Sequence, residues 1–482
     1  MLIFLKQYGP SFGDIRLSRR MDDLLSLMIT GESNIIHKIV PDSASETASY
    51  RFLKNDQVEM GQMIGHLVSP VRDLVSGKDV LILSDSSEVS LQSQINRIRD
   101  ADRVGVLSDN KTAGFHKHVS MCLDAKTGSG LGLSDLFLWN RPRSNLSKSE
   151  KSQRKRNRSW PEKETYKWAL SVKHSEVVLA KAARQTYVFD AGADFDALWR
   201  FASQSPRDFL IRLKYNRFVR PTEADSTLDS PLQVKLFEHL AAQDCAGQYQ
   251  LELRALTGRN IYQPKFRQAR TAKMEVKYTA VNLEGSESLR PFYIVEAKEA
   301  ASTVPEDEPP IHWILLTTHK IETFDQACKG IHWYSLRWMI EELFRTSKKK
   351  GFDIESSELE YLDSIMKQTI MTMQAALKVM QLVLARDNPQ AQSISHCFSP
   401  EQIMCLQALN RKYQGKTKKQ HNPYPKDRLS WASWIIGRLG GWKGYQKARP
   451  PGPIRMKRGL EKFYQMFQGW KLLYDGQLMI DP

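Results

Sequence analysis

At 482 residues, with 41% hydrophobic and 10% aromatic side chains, the chain is long enough for two to four domains and a large core, which excludes a disordered tail protein. Its formal charge of +16 points to a polyanionic partner, and nucleic acid is the common one. No apolar stretch approaches the about 18 residues a membrane span needs, no basic-then-apolar leader opens the sequence, and the five cysteines are scattered without a Cys-x-x-Cys pair. The expectation is a reduced, soluble, cytoplasmic protein with neither a zinc site nor a disulfide framework.

Residues 1–70 read as a small helical unit of their own. Arg16, Arg19 and Arg20 precede Met21, Leu24, Leu25 and Leu27 at helical spacing, and Arg51 follows in Tyr50-Arg51-Phe52-Leu53. A basic helical module ahead of a larger core suggests DNA binding. From Asp79 the pattern changes to strands. Val80-Leu81-Ile82-Leu83 is a buried-strand run that ends at Ser84-Asp85, so Asp85 is expected at a strand end. Arg103 to Leu107, Lys117 to Leu123 and Leu131 to Trp139 are further strand-like runs. Residues 141–158 carry eight Lys or Arg against one Glu and read as a polar loop.

Glu162 to Ala183 reads as a helix. Thr186 to Asp190 is an apolar strand ending in Asp, with a helix from Asp194. Asp208 to Lys214 is another strand, with Arg212 and Lys214 on one face. Strand, strand, strand, helix, strand, helix, strand is the order of the ribonuclease-H-like α/β fold, which gathers strand-end residues at one edge. Gln248 to Leu253, Lys273 to Leu283, Pro291 to Glu296 and Trp313 to Thr317 then read as an all-β insertion at about 220–318. Leu362 to Leu384 has the spacing of a strong amphipathic helix. Residues 411–458 carry fourteen Lys or Arg against one Asp, interleaved with Trp431, Trp434 and Trp442. Leu460, Phe463, Phe467 and Trp470 form a narrow stripe on a last helix, suited either to a partner helix or to the chain's own core. Gly415-Lys416-Thr417 ends like a phosphate-binding loop, but Asn410 stands where its first glycine belongs, so no nucleotide cofactor is expected.

The segment Tyr334 to Lys350 has no Pro, no Gly and apolar residues at helical spacing, which predicts one continuous helix. On it Tyr334, Arg337, Glu341 and Lys348 fall in one polar stripe. Asp85, Asp190 and Glu341 are then three carboxylates that would repel one another unless a cation neutralised them. Hard oxygen donors select Mg²⁺, with Mn²⁺ as a substitute, and a pair of such ions suits phosphodiester chemistry.

The spacing Tyr334-x2-Arg337-x3-Glu341-x6-Lys348 resembles the Tyr-Arg-Glu-Lys signature of bacterial DDE transposases of the insertion-sequence-four group, most closely the Tn-five transposase branch. Tyr50 to Asn55, Asp85, Asp190-Ala-Gly-Ala-Asp194, Trp313 to Thr317 and Arg438-Leu-Gly-Gly441 match in order, so the resemblance runs from about residue 12 to about 475. It implies a helical end-binding domain over 1–70, a ribonuclease-H-like catalytic domain over 71–375 with its β insertion, and a helical dimerisation domain over 376–482. It implies metal ligation by Asp85, Asp190 and Glu341. DNA contacts are implied for Tyr334, Arg337, Lys348, Arg212 and Lys214, and a flipped-base pocket for Trp313. The implied partners are double-stranded DNA, at element ends and target, and a second copy in the paired-end complex. Cleavage would pass through a hairpin. Ala191 and Gly192 depart from the Arg and Glu usual in this family after the second Asp. A metal-dependent nuclease of the same fold and a non-catalytic DNA-binding relic are the alternatives.

Overall fold

The computed structural model describes residues 12–31, 33–144, 146–222, 233–253, 255–257, 266–282, 290–348, 351–415, 417–445 and 449–478. The chain divides into two compact units, Met1–Ala183 with Trp338–Pro482, and Arg184–Arg337.

The first unit begins with helices α1 (Ile15–Thr30), α2 (Ile36–Ile39), α3 (Ser43–Lys54), α4 (Met60–Val68) and α5 (Val71–Leu74). Asp14 caps α1 by accepting the Arg16 N–H at 2.8 Å, and Asp42 caps α3 by accepting that of Ser45 at 2.7 Å. Each carboxylate satisfies a donor the helix leaves unpaired. Strands β1 (Asp79–Ser90), β2 (Gly114–Asp124) and β3 (Gly130–Trp139) follow as an antiparallel meander. β1 does not end at Asp85. The apolar signal stops there, but the hydrogen-bond ladder to β2 continues to Ser90 opposite Gly114, so Asp85 is mid-strand. Arg103 to Leu107 is no strand: a tight turn at Ala101–Arg103 leads to a single bridge between Val106 and Ala113. The expected polar loop contains α6 (Lys148–Asn157), started by a reciprocal cap in which Ser147 N–H donates to Glu150 and Glu150 N–H to Ser147 Oγ. α7 (Lys167–Val178) is shorter than the predicted helix.

The second unit contains β4 (Arg184–Phe189), α8 (Asp196–Gln204), β5 (Asp208–Arg212), β6 (Phe218–Pro221), β7 (Val234–Lys235), α9 (Leu236–Ala241), β8 (Gly247–Leu253), β9 (Leu256–Thr257), β10 (Phe266–Arg267), β11 (Arg270–Asn282), β12 (Phe292–Glu299), β13 (His312–Thr317) and α10 (Phe324–Ser335). Its strands run β4-β5-β13-β12-β11-β6-β7, with β8 also on β11 and β4 parallel to β5. The insertion is therefore not a separate all-β body. β13 returns to pair with β5, Leu316 opposite Ile211, so the inserted strands widen the same sheet except β9 and β10, which pair with each other, and α9 lies among them.

The chain re-enters the first unit with α11 (Trp338–Ser347), then α12 (Leu362–Ala385), α13 (Pro400–Tyr413), α14 (Leu429–Leu439) and α15 (Pro453–Leu478). The predicted helix from Tyr334 to Lys350 is thus two helices. Leu336 and Arg337 donate back only three residues, to Trp333 and Tyr334, which tightens and closes α10 without any Pro or Gly. Lys349 and Lys350 lie outside the described residues. α12 is buried on nearly every side rather than amphipathic, with α1, α3, α4, α11, α14, α15 and β3 packed on it. The N-terminal helices therefore do not stand apart from the C-terminal half. Leu460, Phe463 and Phe467 of α15 are 1%, 0% and 7% exposed, and α15 packs on α1, α12 and α14. This stripe faces the protomer's own core and is not a seam left open for a second copy. A Cβ at Gly459 would collide with the Ile436 carbonyl, so glycine there permits the close α14–α15 approach.

Strand pleating puts Asp85 and Ser87 on the sheet face shared with Lys117 and Val119. On that face Lys117 is wholly buried. It donates to Ser347 Oγ of α11 at 3.1 Å and to Met373 Sδ at 3.4 Å, and it lies over the Phe344 ring. Burial, and then the nearby Lys348, push its amine down to about 7, against the opposite pull of Glu355. A depressed lysine binds fewer protons folded than unfolded, so its cost is full below about pH 7 and fades as pH rises toward the ordinary lysine range. Lys117→Met should therefore raise the thermal midpoint most near pH 6, with the gain over wild type shrinking toward pH 10. Melting both proteins across that range checks this, and a gain independent of pH contradicts it.

Candidate functional site

The three sequence-named carboxylates occupy different settings. Asp85 is half-buried in the middle of β1, where its Oδ1 accepts the Ser86 N–H at 2.7 Å. Glu341 lies in the first turn of α11, also half-buried. Within the first unit α11 packs on β1, and the Lys117–Ser347 bond puts α11 over the face that carries Asp85. Strand and helix remote in sequence thus meet. Asp190 belongs to the second unit. It stands directly after β4, as expected, and caps a turn over Ala191–Ala193 by accepting the Gly192 N–H at 2.9 Å. The small Ala191 and Gly192, where Arg and Glu were the pattern, form that turn. Among the described residues no three His, Cys, Asp or Glu side chains converge closely enough to hold a metal ion. The carboxylates of Asp85, Asp190 and Glu341 are donors of the hard type that magnesium takes.

The four residues of the predicted polar stripe do not lie on one continuous helix. Lys348 lies beyond α11 in the first unit, 3.8 Å from Glu355, whose Oε1 also accepts the Ser90 N–H at 3.1 Å. Glu88 is close to it too. Burial works to raise the Glu88 pKa, but hydrogen bonds from Ser108 and the charges of His116 and Lys348 hold it lower on balance. Lys348 is therefore already engaged with carboxylates.

Tyr334 and Arg337 instead join residues that sequence named separately. Tyr334 is 4% exposed and meets Trp313 of β13 edge to face, with ring centroids 5.7 Å apart. Arg337 lies 5.9 Å from the Tyr334 centroid. Burial raises the Tyr334 hydroxyl pKa, while the guanidinium groups of Arg337 and Arg212 at that hydroxyl pull the other way. Arg212, at the end of β5, also donates to the His312 carbonyl at 3.2 Å. Two guanidinium groups thus converge on a buried phenol beside a half-buried indole, a set suited to phosphate and to a base ring. Helical spacing could not reveal this, because Arg212 and Trp313 reach Tyr334 through β5–β13 pairing. Lys214 is not on β5 with Arg212. It lies in the following loop, whose Lys214 and Tyr215 N–H groups donate to buried Asp194 at 2.7 and 2.9 Å. Sequence reading names Asp194 only as a motif end and helix start and Lys117 only as a strand start; no local pattern marks either ionisable residue as buried.

Near the N-terminus Arg16, Arg19 and Arg51 are exposed, while Phe52 and Leu53 of the same helix as Arg51 are buried. Arg16 is paired with Asp14 at 2.8 Å. Cations thus face solvent on helices whose apolar sides are fixed to the core.

Among solved structures, a cryo-EM structure of a piggyBac transposase synaptic complex with hairpin DNA is similar at 9% identity and a TM-score of 0.35, over 95% of this chain and 72% of that one. A TM-score that low does not establish a shared fold. Residues 9–58 match the family model described as Transposase DNA-binding, which spans α1 to α3 and includes Arg16, Arg19 and Arg51. The chain therefore carries a transposase-type DNA-binding segment ahead of its mixed α/β body.

Proposed function

We propose that this chain is a DNA transposase of the DDE type, similar to the insertion-sequence-four group, built on a ribonuclease-H-like core. The observation that carries the reading is the transposase DNA-binding match over residues 9–58, with exposed arginines on its helices. In this reading Arg16, Arg19 and Arg51 hold the terminal repeats of an element. Asp85, Asp190 and Glu341 are the acidic residues that bind Mg²⁺ or Mn²⁺. Bound metal would supply the positive charge that phosphodiester cleavage needs. Arg212 and Arg337 fix backbone phosphates, and Trp313 beside Tyr334 receives a base turned out of the stack as a hairpin forms. Two protomers act together on paired ends. Incubating the protein with Mg²⁺ and duplex DNA bearing its own element's terminal repeats tests the reading, and hairpin-ended products support it.

Two sets of variants separate chemistry from binding. Asp85→Ala, Asp190→Ala and Glu341→Ala should each lose cleavage by at least about 100-fold, the scale of losing a principal electrostatic group, while end-DNA affinity in gel shift stays within about threefold. Retained cleavage in any one removes that residue from the acidic set.

Arg212→Ala and Arg337→Ala should each weaken end binding and lower the slope of log affinity against log salt by about one phosphate contact. Lys348→Ala should lower it less, because Lys348 must first give up Glu355. Slopes unchanged in both arginine variants would leave the guanidinium pair as a structural brace of Tyr334.

A further inference from the structure

The loop after β5 and the first residue of β6 carry an aromatic and cationic surface that the cleavage chemistry does not use. Tyr215 and Phe218 are 53% and 52% exposed, and each ring lies under at least one cation of the same unit. Lys214 Nζ is 5.6 Å and the Arg217 guanidinium 5.5 Å from the Tyr215 centroid, and Lys235 Nζ is 4.0 Å from that of Phe218. A single exposed aromatic needs no explanation. Two within four residues, both paired with cations, form a pattern. The loop beneath them is held firmly. Asp194, 3% exposed, accepts the Lys214 and Tyr215 N–H groups and binds the Arg217 guanidinium, while Leu236 N–H donates to the Arg217 carbonyl at 2.8 Å. Burying a carboxylate to hold a surface loop costs stability unless it is well paired, as it is here. Nearby acids are engaged as well: Asp196 pairs with Arg217, and Glu238 accepts from Asn216 at 3.2 Å.

We infer that Tyr215 and Phe218 form a stacking platform for unpaired DNA bases, with Lys214 and Lys235 taking the adjoining phosphates. Aromatic faces stack any base, and neighbouring ammonium groups follow the backbone, so recognition is of strand state and not of sequence. The choice of DNA as the polyanion rests on the proposed function. Cleavage and joining of duplexes both pass through locally unpaired strands, for which a platform outside the Tyr334 cluster would be a holding site.

Fluorescence anisotropy on the full chain tests this with labelled oligothymidine and, separately, a nonspecific duplex of equal length. The Tyr215→Ala, Phe218→Ala double variant should lose about 10-fold or more in single-strand affinity and less than about twofold on duplex. Tyr215→Trp with Phe218→Trp should keep single-strand binding, since indole stacks as well. Unchanged single-strand affinity in the alanine variant overturns the platform, as does an equal loss on both DNAs. A wild-type chain that binds the duplex while the platform prediction fails overturns only this inference; one that binds neither overturns the DNA reading with it.

Discussion

A helix with almost no solvent face governs the first unit. α12 is surrounded by helices from both ends of the chain and by β3, so its polar residues must find partners inside. They find them in the N-terminal segment. Ser364 donates to the Leu53 carbonyl at 3.2 Å, Lys367 to that of Asn55 at 2.8 Å and Gln368 to that of Asn34 at 2.8 Å, while Ser357 donates to Gln368 at 2.6 Å. Each such bond contributes about 1 kcal/mol net, but leaving one buried partner unpaired costs about 1–3 kcal/mol. The set therefore works as a lock on geometry more than as a store of stability. It fixes the transposase-type segment in the same unit as the strand of Asp85 and the helix of Glu341.

Much of this was legible in the sequence wherever the pattern was long and its cause local. α12 was readable almost to its ends, because apolar residues recur through it without Gly or Pro. Its burial on all sides was not, since Lys367, Gln368 and Thr372 look like a solvent face until their partners are known. Asp190 was readable at a strand end because an Ala-Gly turn follows it at once. Asp85 was misplaced because polarity ended the signal while pairing with β2 went on. The Tyr334–Lys350 helix failed for the opposite reason: periodicity continues across Leu336 and Arg337, but the backbone closes α10 there. α6 escaped notice behind its charge, although Ser147 and Glu150 spell a helix start. The stripe on α15 was read correctly as apolar, but sequence cannot say which surface covers it.

The arrangement in the second unit changes what the arginines mean. Arg212 and Arg337 come from a strand and a helix end, and they meet at Tyr334 because β13 sits between β5 and β12 in the sheet. Paired guanidinium groups at a phenol would offer an anion a more directional contact than a single polar stripe along one helix. Lys348, by contrast, is held between carboxylates. The excess of positive charge is thus not spread evenly in function. Some cations brace acids in the fold, and others, such as Arg19 and Arg51, face solvent where DNA can reach them.

A transposase, as proposed for this chain, joins DNA as well as binding and cutting it. The most direct measurement supplies a duplex labelled near a cleaved terminal-repeat end with its 3′-hydroxyl free, a supercoiled plasmid and Mg²⁺, then resolves the products on a denaturing gel. Strand joining should leave label covalently attached to plasmid-length strands. Label that stays at oligonucleotide length, with the plasmid nicked or untouched, would contradict it.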